Sequence, residues 1–370
     1  MKMCRLFLRI TVVAVLIVTI TGQSSAQETE SAPVVYTIVD LGPIVHTDQD
    51  ACYGVSPGAT VTDVAVGDRA VGAVYLEGER AVATLFSSEG PRMMVSGPGG
   101  GVANAINGDG EIAGAIYEQL PVETCGEASS PNPVVWNADF RSTPLDMPDG
   151  AIGGVATAIN SAGQIVGWVE TEAGRRAALW TDDGVILAQH AIIEGVEDLE
   201  SEAVGINDDG IIAGTLRWTS DGNERSSAFV WDGEQIRYLT PDPGLDGYAT
   251  AINNAGAISG AVIDESGTKI AVLWWQGEVI ELGPLDDRPH AVATDVNNAG
   301  FAVGYGERED GLTRAMVWID ESPFDLNEIT SQAGSWLLQM AVGINDDGVI
   351  AGWGDNDGER HALLLVPAAG

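Results

Sequence analysis

The amino-acid sequence predicts an all-β protein, namely a seven-bladed β-propeller of four-stranded blades that is closed by its N-terminal strand. Three observations support this prediction. One motif recurs along the chain at intervals of 42 to 53 residues. Each interval contains four short apolar segments separated by turn residues. The two ends of the repeated region are also incomplete in complementary ways. Repeats of this length with four strands each are typical of propellers.

The motif has the pattern Ala-Ile-Asn-x-x-Gly-x-Ile-x-Gly and is built around an asparagine that we call the anchor. The anchors are Asn107, Asn160, Asn207, Asn253, Asn297 and Asn345. A glycine stands three residues after each anchor, and another stands seven residues after it. Because Asn and Gly both tolerate positive φ, Asn-x-x-Gly predicts a tight turn between two strands. A degraded first copy has Ala65 at the anchor position.

The third copy shows the four predicted strands of one repeat. Residues 155–159 lead into Asn160, and residues 164–169 return from the turn as a second strand. Residues 176–180 and 185–189 form the third and fourth strands, again separated by a polar turn. A solenoid is the alternative, but it requires shorter repeats with one strand each. The repeat therefore favours a propeller blade.

The ends of the repeated region predict how the ring closes. Residues 35–40 and the following Leu41-Gly42 match the fourth strand of a repeat, whereas the chain ends after a third strand at residues 361–366. We expect residues 34–41 to complete the last blade, since closure removes the exposed edges of a sheet. The sequence thus indicates a single propeller domain over residues 34–370.

The first strand of each repeat carries small residues two and four positions before the anchor, for example Ala158 and Ala156. Residues two apart share a face of a strand. We therefore expect this face to line the axis, where the blades converge, and the residues between to pack between blades. Asp63 and Asp295 replace the small residue two positions before the anchor. Their carboxylates are expected at the axial channel, either simply solvated or in contact with a cation or ligand.

The repeat resembles that of the bacterial extracellular HAF repeat proteins. The matching residues are Ser227-Ala228-Phe229-Val230-Trp231, Glu281-Leu282-Gly283, the six Asn motifs and the closing His361-Ala362-Leu363-Leu364. The resemblance covers roughly residues 34–368. It implies a propeller-like fold and implies little about function, because that family is defined by its repeats. The degraded first copy and inserts at residues 42–58 and 118–132 depart from the pattern.

The N-terminus reads as a secretory signal peptide over residues 1–26. Lys2, Arg5 and Arg9 precede an apolar run at residues 10–20, and small residues end at Ala26. Such a run is short for a membrane span, although an uncleaved anchor is the alternative. Residues 27–33 are polar and are predicted to be a disordered leader. We expect a secreted, extracellular or periplasmic protein without membrane insertion.

The composition is strongly acidic, with 54 acidic and 17 basic residues and a formal net charge of −37. Without residues 1–26, 14 basic residues remain and the charge is −40; Lys269 is then the only lysine. Such a surface repels nucleic acid and anionic lipid. The acidity indicates either adaptation to salt, where counterions screen the repulsion, or binding of cations by acidic loops.

Two cysteines, Cys52 and Cys125, remain after residue 26. An oxidising compartment favours a disulfide between them. In the predicted propeller, Cys52 lies in the loop entering the first blade, and Cys125 lies between the second and third strands of the next blade. These two classes of loop emerge on one face, which supports the pairing. Two free thiols are the alternative.

No motif for a nucleophile elbow, a phosphate loop or a paired-cysteine or paired-histidine metal site occurs in the sequence. We therefore expect no cofactor. The acidic turns at residues 207–210, 345–348 and 355–358 resemble calcium loops weakly, but they lack the EF-hand spacing. Plain hairpin turns are the favoured interpretation. The tryptophan of each third strand recurs at one structural position, so it predicts core packing and not a sugar-binding platform.

Two classes of function remain open. The first is a non-enzymatic, monomeric propeller that binds a protein, a glycan or a surface component. The second is a glycan-directed hydrolase or lyase that uses carboxylates at the axial channel. We expect the site where the loops between blades enter, because variation among repeats concentrates there. The candidate binding residues are Asp63, Glu202, Tyr248, His290, Asp295 and Trp336.

Overall fold

The structure, a computed structural model, describes most of the chain from residue 34 onward. The described residues are 34–43, 60–65, 67–76, 80–87, 89–94, 99–118, 130–189, 197–239, 245–331 and 334–368. The predicted signal peptide (1–26), the predicted leader (27–33) and both Cys52 and Cys125 lie outside these residues. No helix among the described residues is long and apolar enough to cross a membrane.

The described chain consists of β-strands that form seven sheets, which are the seven blades. The N-terminal strand is β1 (Tyr36–Pro43). Blade 1 contains β2 (Thr60–Val64), β3 (Ala70–Leu76), β4 (Arg80–Phe86) and β5 (Arg92–Met93). Blade 2 contains β6 (Gly101–Ile106), β7 (Ile112–Ile116), β8 (Asn132–Trp136) and β9 (Ser142–Pro144). Blade 3 contains β10 (Ala151–Ile159), β11 (Ile165–Thr171), β12 (Gly174–Thr181) and β13 (Gly184–Leu187).

The remaining blades repeat this plan. Blade 4 contains β14 (Glu197–Ile206), β15 (Ile212–Ser220), β16 (Asn223–Trp231) and β17 (Ile236–Tyr238). Blade 5 contains β18 (Asp246–Ile252), β19 (Ile258–Ile263), β20 (Lys269–Trp275) and β21 (Glu278–Glu281). Blade 6 contains β22 (His290–Val296), β23 (Ala302–Glu307), β24 (Thr313–Ile319) and β25 (Ser322–Asp325). Blade 7 contains β26 (Thr330–Ser331), β27 (Trp336–Ile344), β28 (Ile350–Asn356) and β29 (Glu359–Pro367), together with β1.

The N-terminal strand belongs to the sheet of the last blade, as predicted, although a further strand from blade 7 lies outside it. β1 pairs antiparallel with β29 from Tyr36 opposite Pro367 to Pro43 opposite His361, so it supplies the missing fourth strand of blade 7. The short β26 adds a fifth strand, parallel to β1. Tyr36 is buried in the apolar cluster between blades 6 and 7. The first and last segments of the propeller are therefore joined in one sheet.

Apolar packing between blades forms the core. Seven buried clusters lie among the described residues, one at each of the seven interfaces between adjacent blades. The third-strand tryptophans belong to these clusters and are at most 3% exposed: Trp136, Trp180, Trp231, Trp274 and Trp318. The prediction that they pack in the core is confirmed.

Each anchor asparagine connects two blades. Its Oδ1 accepts from the amide four residues later at 2.8–3.0 Å, which fixes the turn. Its Nδ2 donates to a main-chain carbonyl of the next blade at 2.7–3.3 Å. Five of these acceptors are the next anchor's own carbonyl, and the sixth, at ring closure, is that of Ala65. Ala65 has no side-chain amide to donate in turn, so among the described residues only the interface between blades 1 and 2 lacks this bond.

The two glycine positions of the motif require glycine for different reasons. The glycine three residues after the anchor has a φ of 76–83°, which is the left-handed conformation that the turn requires. For the glycine seven residues after it, a Cβ would lie 1.9–2.5 Å from a carbonyl oxygen of the first strand in blades 2 to 7. The first two strands of a blade therefore approach too closely for any side chain at this position.

A β-bulge in each first strand changes the predicted small-residue face. The pairing with the second strand skips the residue three before the anchor, as between Ala156 and Ala158. In blades 2 to 7, the alanine four positions before the anchor is at most 3% exposed and packs in the core: Ala103, Ala156, Ala203, Ala249, Ala293 and Ala341. The expectation that this residue lines the axis was wrong, because the bulge breaks the two-residue alternation. The residues three and two before the anchor line the channel instead.

Candidate functional site

The propeller has two faces, which its topology defines. The Asn-x-x-Gly turns lie on the turn face, where every first strand ends. The connections between blades enter at the opposite loop face, where every first strand begins, and the connections between second and third strands lie there too. The structure places the sequence-predicted residues in three locations, namely the axial channel, the loop-face mouth of the channel, and the interior of blade 7.

The axial channel is a narrow cavity of about 150 Å³. Thr62, Thr157, Thr250 and Thr294 line it, and each of these hydroxyl groups lies within hydrogen-bond distance of a main-chain carbonyl of the next blade. Asp63 and Asp295 line it as well, as the sequence predicted. No lysine, arginine or histidine is among the residues that line this cavity.

The two channel carboxylates make the same contacts. One oxygen of Asp63 accepts from the amide of Val64 at 2.7 Å, and the other accepts from Ile106 of the next blade at 2.9 Å. Asp295 does the same with Val296 and Ile344, both at 2.8 Å. Each carboxylate thus bridges two blades through main-chain donors, and both oxygens of each are engaged.

Burial in the channel raises the pKa of both carboxyl groups. Desolvation is the main cause for Asp63, and the two amide hydrogen bonds oppose it. Desolvation raises the pKa of Asp295 to about 7, and the nearby charge of Asp63 adds to the effect. Gly343 lies between the two residues: a Cβ there would be 3.6 Å from Oδ2 of Asp295 and 3.7 Å from Cα of Asp63. The pair therefore resists carrying two negative charges.

At the loop-face mouth, Glu202 lies in an ion-pair network that spans two blades. Its Oε2 is 3.2 Å from Nη1 of Arg175 in blade 3, and its Oε1 is 2.6 Å from Nη1 of Arg217 in blade 4. The guanidinium carbon of Arg175 lies 3.9 Å from the ring centroid of Trp168. The carboxylate thus lies between two guanidinium groups, of which Arg175 also pairs with Glu170 at 3.7 Å. An aromatic ring lies beside them.

Tyr248 and His290 belong to the same mouth, on blades 5 and 6. Nδ1 of His290 accepts from the amide of Lys269 at 3.2 Å. Nζ of Lys269 is 3.2 Å from Oε2 of Glu307. Burial raises the pKa of Tyr248, and the neighbouring Tyr305 and Glu307 raise it further. Tyr248 therefore presents a neutral phenol.

These contacts define a surface that we call the mouth crescent. It extends over blades 3 to 6 and comprises Trp168, Arg175, Glu202, Arg217, Tyr248, Lys269, His290, Tyr305 and Glu307. The sequence predicted three of these residues: Glu202, Tyr248 and His290. It missed the second-strand residues eight and ten positions after the anchor. The signal was present, since Trp168 and Tyr305 stand where three other copies have Ala73, Ala115 and Ala261.

Trp336 does not belong to the crescent. Its ring makes an edge-to-face contact with His361 at 5.4 Å, within blade 7. Nδ1 of His361 is 2.9 Å from Oδ1 of Asp40 on β1. Trp336 also packs against the apolar cluster between blades 6 and 7. The structure thus places this residue beside the ring closure and not with Tyr248 and His290.

The acidic turns form hydrogen bonds between blades. Oδ1 of Asp208 accepts from both the amide and the hydroxyl of Ser161, and its Oδ2 accepts from Nδ2 of Asn254. Asp346 accepts from the amide and Nδ2 of Asn298 in the same way. Within the described ranges, no group of three or more His, Cys, Asp or Glu side chains is arranged to hold a metal ion.

Comparison with known proteins supports the fold alone. No family model matches the chain, and no curated protein matches it. The β-propeller domain of the Trilobed protease from Pyrococcus furiosus superposes with a TM-score of 0.54 at 10% identity, over 84% of this chain and 96% of that domain. Polysaccharide lyase Uly1 gives 0.49 at 8% identity, over 91% and 98% of the two chains. A puromycin hydrolase gives 0.48 at 14% identity, over 89% of this chain and 55% of that one. The chain is thus a β-propeller like the first of these, and identities this low assign no activity.

Proposed function

We propose that this protein is a secreted, non-enzymatic binding module whose ligand lies on the mouth crescent. The observation that carries the proposal is that half-buried aromatic side chains lie beside charged groups that already have partners of opposite charge. Glu202 has two arginine partners and Glu307 has a lysine partner. Trp168, Tyr248 and Tyr305 are each half-buried. We also retain membership in the HAF repeat family as a proposal.

The chemistry of the crescent favours a glycan or another polyol. Aromatic faces pack against the apolar side of a sugar ring, and a Tyr hydroxyl group can bond to water or ligand at the same time. The guanidinium and carboxylate groups offer donors and acceptors to hydroxyl groups. A cationic partner is the second candidate, because the protein as a whole carries a net charge of −37. Paired carboxylates attract a cation less than free ones, so we rank it lower.

The geometry of the channel gives less support to a hydrolase or lyase. A general acid or base must reach the substrate's proton, but Asp63 and Asp295 are engaged by amides on both oxygens. The cavity that they line is about 150 Å³, whereas ligand pockets are typically about 300–1,000 Å³. These carboxylates act well as bridges between blades, and this role accounts for their position.

A binding screen against glycans and polyamines tests the proposal. We expect Tyr248→Ala with His290→Ala to weaken binding of the glycan found with the wild type by about tenfold or more, since a buried aromatic contact is lost. Tyr238→Ala is the matched control, because Tyr238 is a partly exposed tyrosine on the outer strand of blade 4. Equal binding by the crescent variant would reject the crescent as the site. Turnover of a glycan that is lost in Asp63→Asn or Asp295→Asn would replace the binding module with the enzyme.

A further inference from the structure

The loop face carries the same stack of an arginine on a tryptophan in two blades. In blade 3, the guanidinium carbon of Arg175 lies 3.9 Å from the ring centroid of Trp168. In blade 7, that of Arg360 lies 4.3 Å from the ring centroid of Trp353. Both tryptophans stand eight residues after the anchor, and both arginines lie opposite the residue ten after it. Nε of each arginine is buried. The tryptophan ring thus holds each guanidinium with this nitrogen turned away from solvent.

The two stacks differ in what their outer nitrogens contact. Nη1 of Arg175 is 3.2 Å from Oε2 of Glu202, which comes from the first strand of the next blade. The side chain of Arg360 has no ion pair and no hydrogen bond with any described residue, including Asp355, which lies opposite it in the sheet. Its Nε is its only side-chain nitrogen that is buried without a partner, so Nη1 and Nη2 are accessible to solvent. Arg360 therefore presents two free donor groups at the loop face.

The register of the strands explains why the two arginines differ. Glu202 lies opposite the second-strand residue that is eight after the anchor of blade 4. The blade that follows blade 7 is blade 1, and the residue with the same pairing there is Thr60. A threonine carries no charge, so blade 1 offers Arg360 no carboxylate from the position at which Glu202 contacts Arg175.

Trp353 extends the mouth crescent into blade 7. Tyr305 and Trp353 are the residues eight after the anchors of adjacent blades, so they occupy neighbouring positions around the mouth. Both side chains are half-buried. Because the guanidinium of Arg360 covers one face of the Trp353 ring, this part of the mouth offers a ligand charged donors beside a partly covered ring.

We propose that the glycan of the mouth crescent contains a uronic acid whose carboxylate accepts from Nη1 and Nη2 of Arg360. The inference rests on the proposed function, since the rest of this glycan lies on the crescent. Blade 3 supports the chemistry, because a carboxylate is what the equivalent stacked guanidinium binds there. A guanidinium binds a carboxylate through two parallel hydrogen bonds, and one that is already held in place loses little freedom on binding. The net charge of −37 repels a chain with many negative groups, so a glycan with few acidic sugars fits best.

The test is an array of oligosaccharides in matched pairs, in which each uronate-containing member stands beside its carboxyl-reduced, neutral counterpart. We expect the wild type to bind uronate members about tenfold or more tightly than the reduced ones, since reduction removes hydrogen bonds between charged groups. Arg360→Gln should bind both members of a pair with the weaker affinity. Arg237→Gln is the matched control and should bind like the wild type, because it removes an exposed arginine from the outer strand of blade 4.

The outcomes separate this inference from the proposed function. If acidic and neutral members bind equally and Tyr248→Ala with His290→Ala abolishes binding, the crescent is the site and the inference is wrong. A preference for uronates that persists in Arg360→Gln would also overturn it. A preference that requires Arg360 but not Tyr248 would support the carboxylate site and reject the crescent. If sulfated members of the array bind through Arg360 and uronates do not, the ligand is not a uronic acid. If no member binds at millimolar concentration, both proposals are wrong.

Thermal unfolding without ligand shows whether the two nitrogens of Arg360 are free. Arg175→Gln loses both the stack on Trp168 and the contact with Glu202. Arg360→Gln loses only the stack on Trp353, so we expect its melting temperature to fall less than that of Arg175→Gln. An equal fall in both variants would mean that the chain itself supplies an anion to Arg360, and the inference would be wrong.

Discussion

The missing anchor at Ala65 gives a direct test of what holds the ring together. Six interfaces between blades have an asparagine Nδ2 that donates to the next blade, and the interface between blades 1 and 2 has none. The main chain at Ala65 makes the same closing bond as an anchor, because its amide donates to the carbonyl of Arg69 at 2.8 Å, as that of Asn107 does to Glu111 at 3.0 Å. The left-handed glycine of this turn is Gly67, two residues after Ala65, whereas in the other copies it is three residues after the anchor. Ala65→Asn should therefore install the seventh bridge.

The expected gain follows from the bonds that the other anchors make. The new Oδ1 would accept from the amide of Arg69, and the new Nδ2 would donate to the carbonyl of Asn107. Two net hydrogen bonds contribute about 1–3 kcal/mol, from which the cost of fixing one side chain is subtracted. We expect the free energy of unfolding to rise by about 1–2 kcal/mol. Asn207→Ala, which removes one existing bridge, should lower it by about 1–3 kcal/mol.

Equilibrium denaturation by urea measures both changes as shifts of the midpoint at constant slope. Ala65→Asp is the matched control, because its side chain has nearly the same shape and can accept from Arg69 but has no N–H for the carbonyl of Asn107. It should therefore stabilise the protein less than Ala65→Asn does. If Ala65→Asn leaves the midpoint unchanged or lowers it, or if Ala65→Asp stabilises equally, then the bond between blades is not what the anchor contributes.

Four further predictions concern closure, covalent structure and charge. Deleting residues 27–42 should lower stability sharply, because it removes most of the strand that pairs with β29; a truncated protein that melts like the intact chain would contradict this. A disulfide between Cys52 and Cys125 should stabilise by about 2–4 kcal/mol, and mass mapping of a non-reduced digest would detect it or find free thiols. The melting temperature should rise from low salt to about 1 M NaCl, where the screening length is about 3 Å, and no change would mean that the acids are already paired. Because the folded-state pKa of Asp295 is raised to about 7, its carboxyl group should stabilise the fold at low pH and lose this contribution as the pH rises from about 4 to about 7. The difference in the free energy of unfolding between wild type and Asp295→Asn across that pH range measures this effect separately from that of the net charge. If the free energies of both proteins change with pH in parallel, the prediction is wrong.

The sequence by itself determined the repeat, the number of blades and the manner of closure. Turn formation at Asn160 and the glycine three residues later is local, since it depends on the conformations that these residues tolerate. Strand periodicity and the unmatched ends are also properties of the linear chain. Asp63 and Asp295 could be located in the channel because they replace a residue of known position within a repeat. Because each repeat folds in the same way, the position of a residue within its repeat predicts its place in the propeller.

Only the tertiary structure decided which side chains meet. The bulge before each anchor moved Ala156 and its equivalents into the core, and the bulge is a feature of the pairing between two strands. Glu202 meets Arg175 and Trp336 meets His361 through contacts that depend on how strands and blades pack. The physical reason is that the partners come from segments about 20 to 50 residues apart, and their distance is set by the packing of one sheet on the next.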